Sequence, residues 1–350
     1  MRVTMLALAV TLLSAQDTEK FTVRSDLVFL PTRVQTKKGD TVYGLKPEQF
    51  LVEDNGVRQT VTIDEDPESS GLSLVVVVQC SRSAEEEMKK LKGLGTMIES
   101  ITGAAPHEVA IMAYGADHYI LGDFSRRNVD TQIALTKLRD CSSRFNATID
   151  AVDFAIHMLD RSRNHYRRAI LLVSETRDHG SKAKLDEVVA ELGTTDTVIY
   201  SVAFSPAKND MLDSMKHAGD AYKTEKPPPP PKKPPPLEDD KPGMVDIERP
   251  PWMNWPPQLL LIVNALKGNA ASEMASLSGG EYMNFTTQKG FESSLQRIAN
   301  QIHNYYLLSF KPTADSGSGM HTLRVRVPDY SDAVIQTRKN YWAEPAPVAK

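Results

Sequence analysis

Leu72-Ser-Leu-Val-Val-Val-Val-Gln-Cys-Ser-Arg-Ser83 decides the fold. Its first seven residues show no polar alternation, as expected of a strand covered on both faces of a parallel sheet. Ala169-Ile-Leu-Leu-Val173 is a second run of this kind, and Val198–Phe204 a third. Val109–Tyr114 reads as a further strand, with Tyr119–Leu121 as a short partner. Helical spacing falls between them, over Glu85–Ile101, Thr131–Leu138, Ile149–Leu159 and Lys184–Leu192. Short strands alternating with helices predict an α/β fold with a doubly wound, mostly parallel sheet. Sites in such sheets sit beyond the C-terminal strand ends, where the crossover loops converge.

Outward from that core, Gln258–Leu277 reads as one helix stopped by Gly279-Gly280. Glu281–Phe285 is a strand candidate and Phe291–Ile302 another helix. Residues 71–205 and 258–303 are thus expected to form one core, interrupted by a helix and proline-rich excursion over 206–257. Thirteen of the 22 prolines lie between Pro227 and Pro257, so this stretch lacks the amide donors for helix or sheet. A stiff, solvated spacer is the plain reading. Trp252 and Trp255 within it would either dock back onto the body or form a recognition patch.

The two ends read as β structure. In residues 21–65, Phe21–Thr36 and Val42–Leu45 have strand patterns, and Asn55-Gly56 marks a hairpin, a dipeptide suited to the positive φ angles of a two-residue turn. In residues 304–342, Tyr305–Phe310, His321–Val327 and Val334–Arg338 are strand candidates. Leu323, Val325 and Val327 alternate with Arg324 and Arg326, the pattern of a half-buried strand. Antiparallel pairing between the two ends would close one accessory β layer.

The chain has 350 residues, room for one large domain with additions or two medium ones. Its 41 basic and 45 acidic residues leave a formal charge of -4, which argues against a nucleic-acid partner. The clusters Arg126-Arg127 and Arg161, Arg163, Arg167, Arg168 lack interleaved aromatics for base stacking, apart from Tyr166. Residues 1–15, MRVTMLALAVTLLSA, join a positive start, an apolar run and small residues, the pattern of a signal peptide. The run is too short for a permanent span, which needs about 20 apolar residues, and no other stretch reaches that length. A secreted or periplasmic chain without an integral span in its mature form is therefore expected, with an uncleaved anchor as the alternative.

Neither a G-x-S-x-G elbow nor H-E-x-x-H occurs, and no dinucleotide fingerprint opens the sheet. Ser81 or Ser83 acting as a nucleophile would need His179 as base, and Asp178-His179-Gly180-Ser181 is also ordinary turn composition. No histidine spacing makes a zinc set, and His157 on the Ile149–Leu159 helix reads as a surface or boundary residue.

Taken together, the strand before Ser81-x-Ser83, Asp150-Ala151, Ser174 with Asp178-His-Gly-Ser181, and Ser278-Gly-Gly-Glu-Tyr282 resemble the bacterial von Willebrand factor A-related proteins, best represented in acidobacteria. Gly44-Leu45 with Phe50, Glu53-Asp-Asn-Gly56 and Tyr305–Pro312 continue the likeness, which covers about residues 21–205 and 258–342. Active members hold Mg²⁺ or Mn²⁺ through D-x-S-x-S, a threonine from a second loop and an aspartate from a third, leaving a coordination position for a partner's carboxylate. Carried over, the first aspartate falls on Gln79, the serines on Ser81 and Ser83, the threonine on Asn146 or Thr148, and the third-loop aspartate on Glu175. Gln79 brings no charge and Glu175 adds a methylene, so the resemblance implies a degenerate metal-ion-dependent adhesion site. No cofactor is expected, with weak Mg²⁺ or Mn²⁺ binding as the alternative. Asp178 is expected to cap the helix from Lys182 rather than act as a ligand.

Cys80 and Cys141 fall in the first and second strand-end loops, which this fold brings together. In an oxidising compartment they can pair, stabilising by about 2–4 kcal/mol; the alternative is two partly buried thiols. The expected function is a non-catalytic protein-binding or scaffolding module for an envelope or extracellular protein, using the rim Gln79–Ser83, Cys141–Thr148 and Glu175–Asp178. A weak cation-dependent adhesion module for an acidic ligand is the second reading, and a small-molecule hydrolase the third.

Overall fold

The computed structural model describes residues 27–64, 71–162, 164, 166–204, 257–312 and 317–343. The signal-peptide pattern at 1–15, nearly all of the excursion at 206–257 with Trp252 and Trp255, and Arg163 lie outside the described residues. Among the described residues, no helix is long and apolar enough to cross a membrane.

The N-terminal segment supplies β1 (Val28–Gln35), β2 (Leu51–Asp54), β3 (Val57–Gln59) and β4 (Thr62–Asp64). The core opens with β5 (Leu72–Gln79), α1 (Glu85–Met88), α2 (Leu94–Thr102), β6 (His107–Tyr114) and β7 (His118–Ser125). It continues with α3 (Asn128–Thr136), α4 (Thr148–Arg161), β8 (Arg167–Glu175), α5 (Leu185–Thr194) and β9 (Val198–Phe204). After the excursion come α6 (Pro257–Gly268), α7 (Ala270–Ser278), β10 (Tyr282–Phe285) and α8 (Gln288–Ile302). β11 (Tyr306–Phe310), β12 (Gly319–Arg326), β13 (Val334–Gln336) and β14 (Asn340–Ala343) end the described chain.

The central sheet runs β10-β9-β8-β5-β6-β7, parallel except for the β6–β7 pair. Every residue of β5 is buried. Its side chains divide by the period of two that a strand imposes. Val75 and Val77 join α4, α5, α6 and α7 in one core layer. Leu74, Val76 and Val78 join α2 and α8 in the other. β5 leads into a crossover to β6 on one side and lies beside β8 on the other, so its C-terminal end borders the crevice where such sheets place ligands.

Several elements differ from the sequence reading. The helix expected over Glu85–Ile101 is split, because Gly93 takes φ +84° and starts α2 afresh. The helix expected over Gln258–Leu277 is also two, since Asn269 leaves helical geometry and its side chain caps α7 by accepting from Ser272 N. Val42–Leu45 forms no strand; the chain there makes a single bridge, Thr41 to Gln35. The partner of β6 is longer than Tyr119–Leu121, running over all eight residues of β7.

The ends pair antiparallel, β12 on β2 and β11 on β1, but they build two sheets rather than one layer. One runs β13-β1-β11-β4 and the other β14-β12-β2-β3. Both contribute to one apolar interior, including Leu30 and Leu308 from the first and Val52, Leu323 and Tyr341 from the second. Neither sheet could bury its apolar face alone, so they close as a sandwich. Within it, Asp54 accepts from the Tyr341 hydroxyl and pairs with His321 Nδ1, both at 2.7 Å and fully buried. The Asn55-Gly56 turn between β2 and β3 has φ of 48° and 83°, the left-handed pair expected of that dipeptide.

The sandwich is fastened to the core at buried polar joints. Arg33 of β1 meets Glu281 at 3.0 Å, and Arg297 of α8 meets the same carboxylate at 2.5 Å. Arg338 donates to the carbonyls of Leu192, Gly193 and Thr195, closing the C-terminal end of α5 with a cation.

Candidate functional site

Three loops meet at the C-terminal edge of the parallel strands. The first, residues 80–84, follows β5; the second, 139–147, precedes α4; the third, 176–184, follows β8. Backbone bonds lace them: Cys141 N to Cys80 O at 2.9 Å, Arg82 N to Ser143 O at 2.9 Å, and Asn146 N to His179 O at 2.9 Å. Cys80 and Cys141 are joined by a disulfide, with their Cα atoms 5.3 Å apart.

Gln79 organises the floor of this site. Its Nε2 donates to Ser81 Oγ at 2.7 Å and Ser83 Oγ at 3.1 Å, and those hydroxyls lie 3.0 Å from each other. Its Oε1 accepts from Glu175 N at 2.8 Å, which fixes which end of the amide faces the serines. Gln79, Ser81, Asn146, Thr148 and Glu175 are all buried. Thr148 turns its hydroxyl inward to Tyr114 at 2.9 Å, and burial pushes that phenol well above its ordinary range. Asn146 Nδ2 donates to Arg177 O at 2.7 Å, tying the second loop to the third.

Asp178 caps α4, not the helix after Lys182 as the sequence suggested. Its Oδ1 accepts from Ile149 N at 3.1 Å and from Ser181 Oγ at 2.6 Å. Asp150, in the first turn of α4, accepts in return from the amides of Lys182 and Ala183. The exchange satisfies orphan amides on both segments at once. The structure therefore gathers every residue carried over from the motif, but bonds most of them to one another.

What faces solvent here is Arg82, Arg144, Phe145 and Arg177, which lie within the expected rim without having been singled out there, together with His179. Each directly neighbours a residue of the motif or its loop. The signal was available in the variable position of Ser81-x-Ser83 and in the residue before Asp178. Among the described residues, three arginines of the basic clusters elsewhere are engaged within the protein. Arg127 pairs with Asp130, Arg168 with Asp160 and Asp196, and Arg167 donates to Ile302 O and the Tyr305 hydroxyl.

The six-stranded order, its single antiparallel edge and the three-loop rim agree with a comparison of the sequence against family models, in which residues 73–226 match the von Willebrand factor type A domain. Residues 73–226 carry a von Willebrand factor type A domain. Solved structures that resemble the chain include BatB, a conserved hypothetical protein from Bacteroides thetaiotaomicron, at 13% identity and a TM-score of 0.38, covering 66% of this chain and all of that one. An aerotolerance-related membrane protein from Bacteroides fragilis, carrying multiple mutations to serines, matches at 12% identity and 0.40, with the same coverage. A structure of proximal thread matrix protein 1 from the mussel byssus, described with a zinc-occupied adhesion motif, matches at 13% identity and 0.33 over 41% of this chain and 38% of that one. No curated protein gives a match.

Type A domains that bind a cation do so through oxygen atoms aimed at one point. The donor set of this domain does not fit that role. The two serine hydroxyls accept from the Gln79 amide N–H, and that uncharged side chain brings no carboxylate to offset a cation.

Proposed function

We propose that this chain is an exported, non-catalytic protein-binding module whose type A rim recognises an acidic partner without a metal ion. The observation that carries the reading is the Gln79 amide bonded to both Ser81 and Ser83. It satisfies the hydroxyls that a cation would otherwise hold, leaving recognition to the exposed rim. There Arg82, Arg144 and Arg177 offer planar, permanently charged donors suited to carboxylates, and Phe145 adds an apolar contact. The same bonding argues against hydrolysis, since a nucleophilic serine needs a base at its hydroxyl and these meet an amide donor and each other. Export to a secreted or periplasmic location is supported by the pattern of residues 1–15 and by the Cys80–Cys141 bond.

Cross-linking capture from the native cell envelope tests the reading. The partner is expected with the wild-type chain in EDTA and is lost with the triple variant Arg82→Glu, Arg144→Glu, Arg177→Glu. Recovery only when Mg²⁺ or Mn²⁺ is supplied would favour cation-dependent adhesion instead.

A further inference from the structure

Away from the rim, α4 and α5 share one face of the sheet, held by Val152, Ile156 and Leu159 on one and Val188, Val189 and Leu192 on the other. Asp153 and His157 are four apart on α4, so their side chains stand on the same face. Glu191 of α5 is brought opposite them. His157 Nδ1 lies 3.5 Å from Glu191 Oε1 and 3.9 Å from Asp153 Oδ2. One ligand atom from each of the three residues falls within 4.8 Å of the others.

We infer that Asp153, His157 and Glu191 form a surface site for a divalent transition metal of the zinc class, bridging α4 to α5. Zinc binds imidazole nitrogen and carboxylate oxygen at about 2.0–2.1 Å, which sets tetrahedral ligand atoms roughly 3.3 Å apart. The observed separations need only a small contraction by exposed or half-exposed side chains. A nitrogen ligand with two carboxylates selects this class over Mg²⁺ or Ca²⁺, which prefer oxygen alone. Nδ1 now lies 2.9 Å from the Asp153 carbonyl; on coordination the neutral ring exchanges its proton through solvent from Nδ1 to Nε2, and the freed Nδ1 lone pair binds the metal. Three protein ligands at an exposed position leave the fourth corner open to water or to a partner's side chain.

This site is independent of the rim. His157 lies nine residues along α4 from Thr148, roughly 13 Å at the helical rise. Each can therefore fail alone.

The test is calorimetric titration of the chelator-stripped full chain with ZnCl₂, paired with Co²⁺ absorption spectra. One zinc per chain is expected, with intense visible bands for tetrahedral cobalt and a rise in melting temperature. His157→Ala and Glu191→Gln should each weaken binding at least tenfold and abolish that rise, while Ser81→Ala at the rim leaves the zinc isotherm unchanged. Far-ultraviolet circular dichroism checks that the helix-surface variants at His157 and Glu191 and the buried loop variant Ser81→Ala all remain folded. No saturable zinc binding, binding insensitive to His157→Ala, or binding lost with Ser81→Ala would each overturn the site.

Discussion

Gln79 shows how far one side chain can change a site. An aspartate there would aim a carboxylate oxygen at Ser81 and Ser83, whereas the amide aims an N–H at both. Gln79→Asp is therefore expected to create Mg²⁺ or Mn²⁺ affinity in the submillimolar range or tighter, while the wild-type chain shows none tighter than about 0.1 mM. Titration calorimetry of the two proteins reads the difference directly. A wild-type isotherm as tight as that of the variant would contradict the account of the rim. Glu175 donates its backbone amide to the same glutamine, so the substitution also places a carboxylate near Glu175 and should cost some stability without metal.

Among the elements, α7 and β10 are joined by a turn with almost no free space. Gly279 takes φ +81° and closes the helix, as Ser278-Gly-Gly suggests. Gly280 matters for a different reason: a Cβ there would lie 2.0 Å from the Ile199 carbonyl oxygen of β9. That neighbour is backbone in a central strand and cannot step aside. Gly280→Ala should lower stability by about 3 kcal/mol or more, read as a fall in the urea midpoint. Gly268, where a Cβ would meet nothing within 4 Å, should accept alanine with little change. The contrast separates crowding from the general cost of altering glycine.

At the scale of the whole molecule, the sandwich and the core act as one body through buried polar joints. Arg338 reaches from the sandwich to the last carbonyls of α5, and burial lowers its pKa to about 10. Arg338→Leu removes these bonds and leaves the carbonyls of Leu192 and Gly193 without that donor in a buried setting. A loss of about 3 kcal/mol is expected, and unfolding followed by separate probes in sandwich and core should lose its coincidence. Identical transitions in the variant and the parent would show that the joint carries no coupling.

Much of this architecture was legible in the chain itself. Runs such as Leu72–Val78 and Ala169–Val173 announce a covered parallel sheet, because only a strand buried on both faces dispenses with polar alternation. Leu323, Val325 and Val327 likewise declare a one-sided strand. Breaks inside helical patterns were not legible, since Gly93 and Asn269 interrupt the path without interrupting the apolar spacing. Nor was the second accessory sheet, because alternation marks a buried face but not what lies against it.

The sequence by itself determined the covered central sheet, the alternation of strands and helices along it, and the loss of charge at Gln79, all of which are local patterns of residue type. Only the tertiary structure decided that the amide points its hydrogens at the serines, that arginines crown the rim, and that Glu191 meets Asp153 and His157. Those are facts of direction and proximity between distant segments, fixed by packing rather than by spacing along the chain.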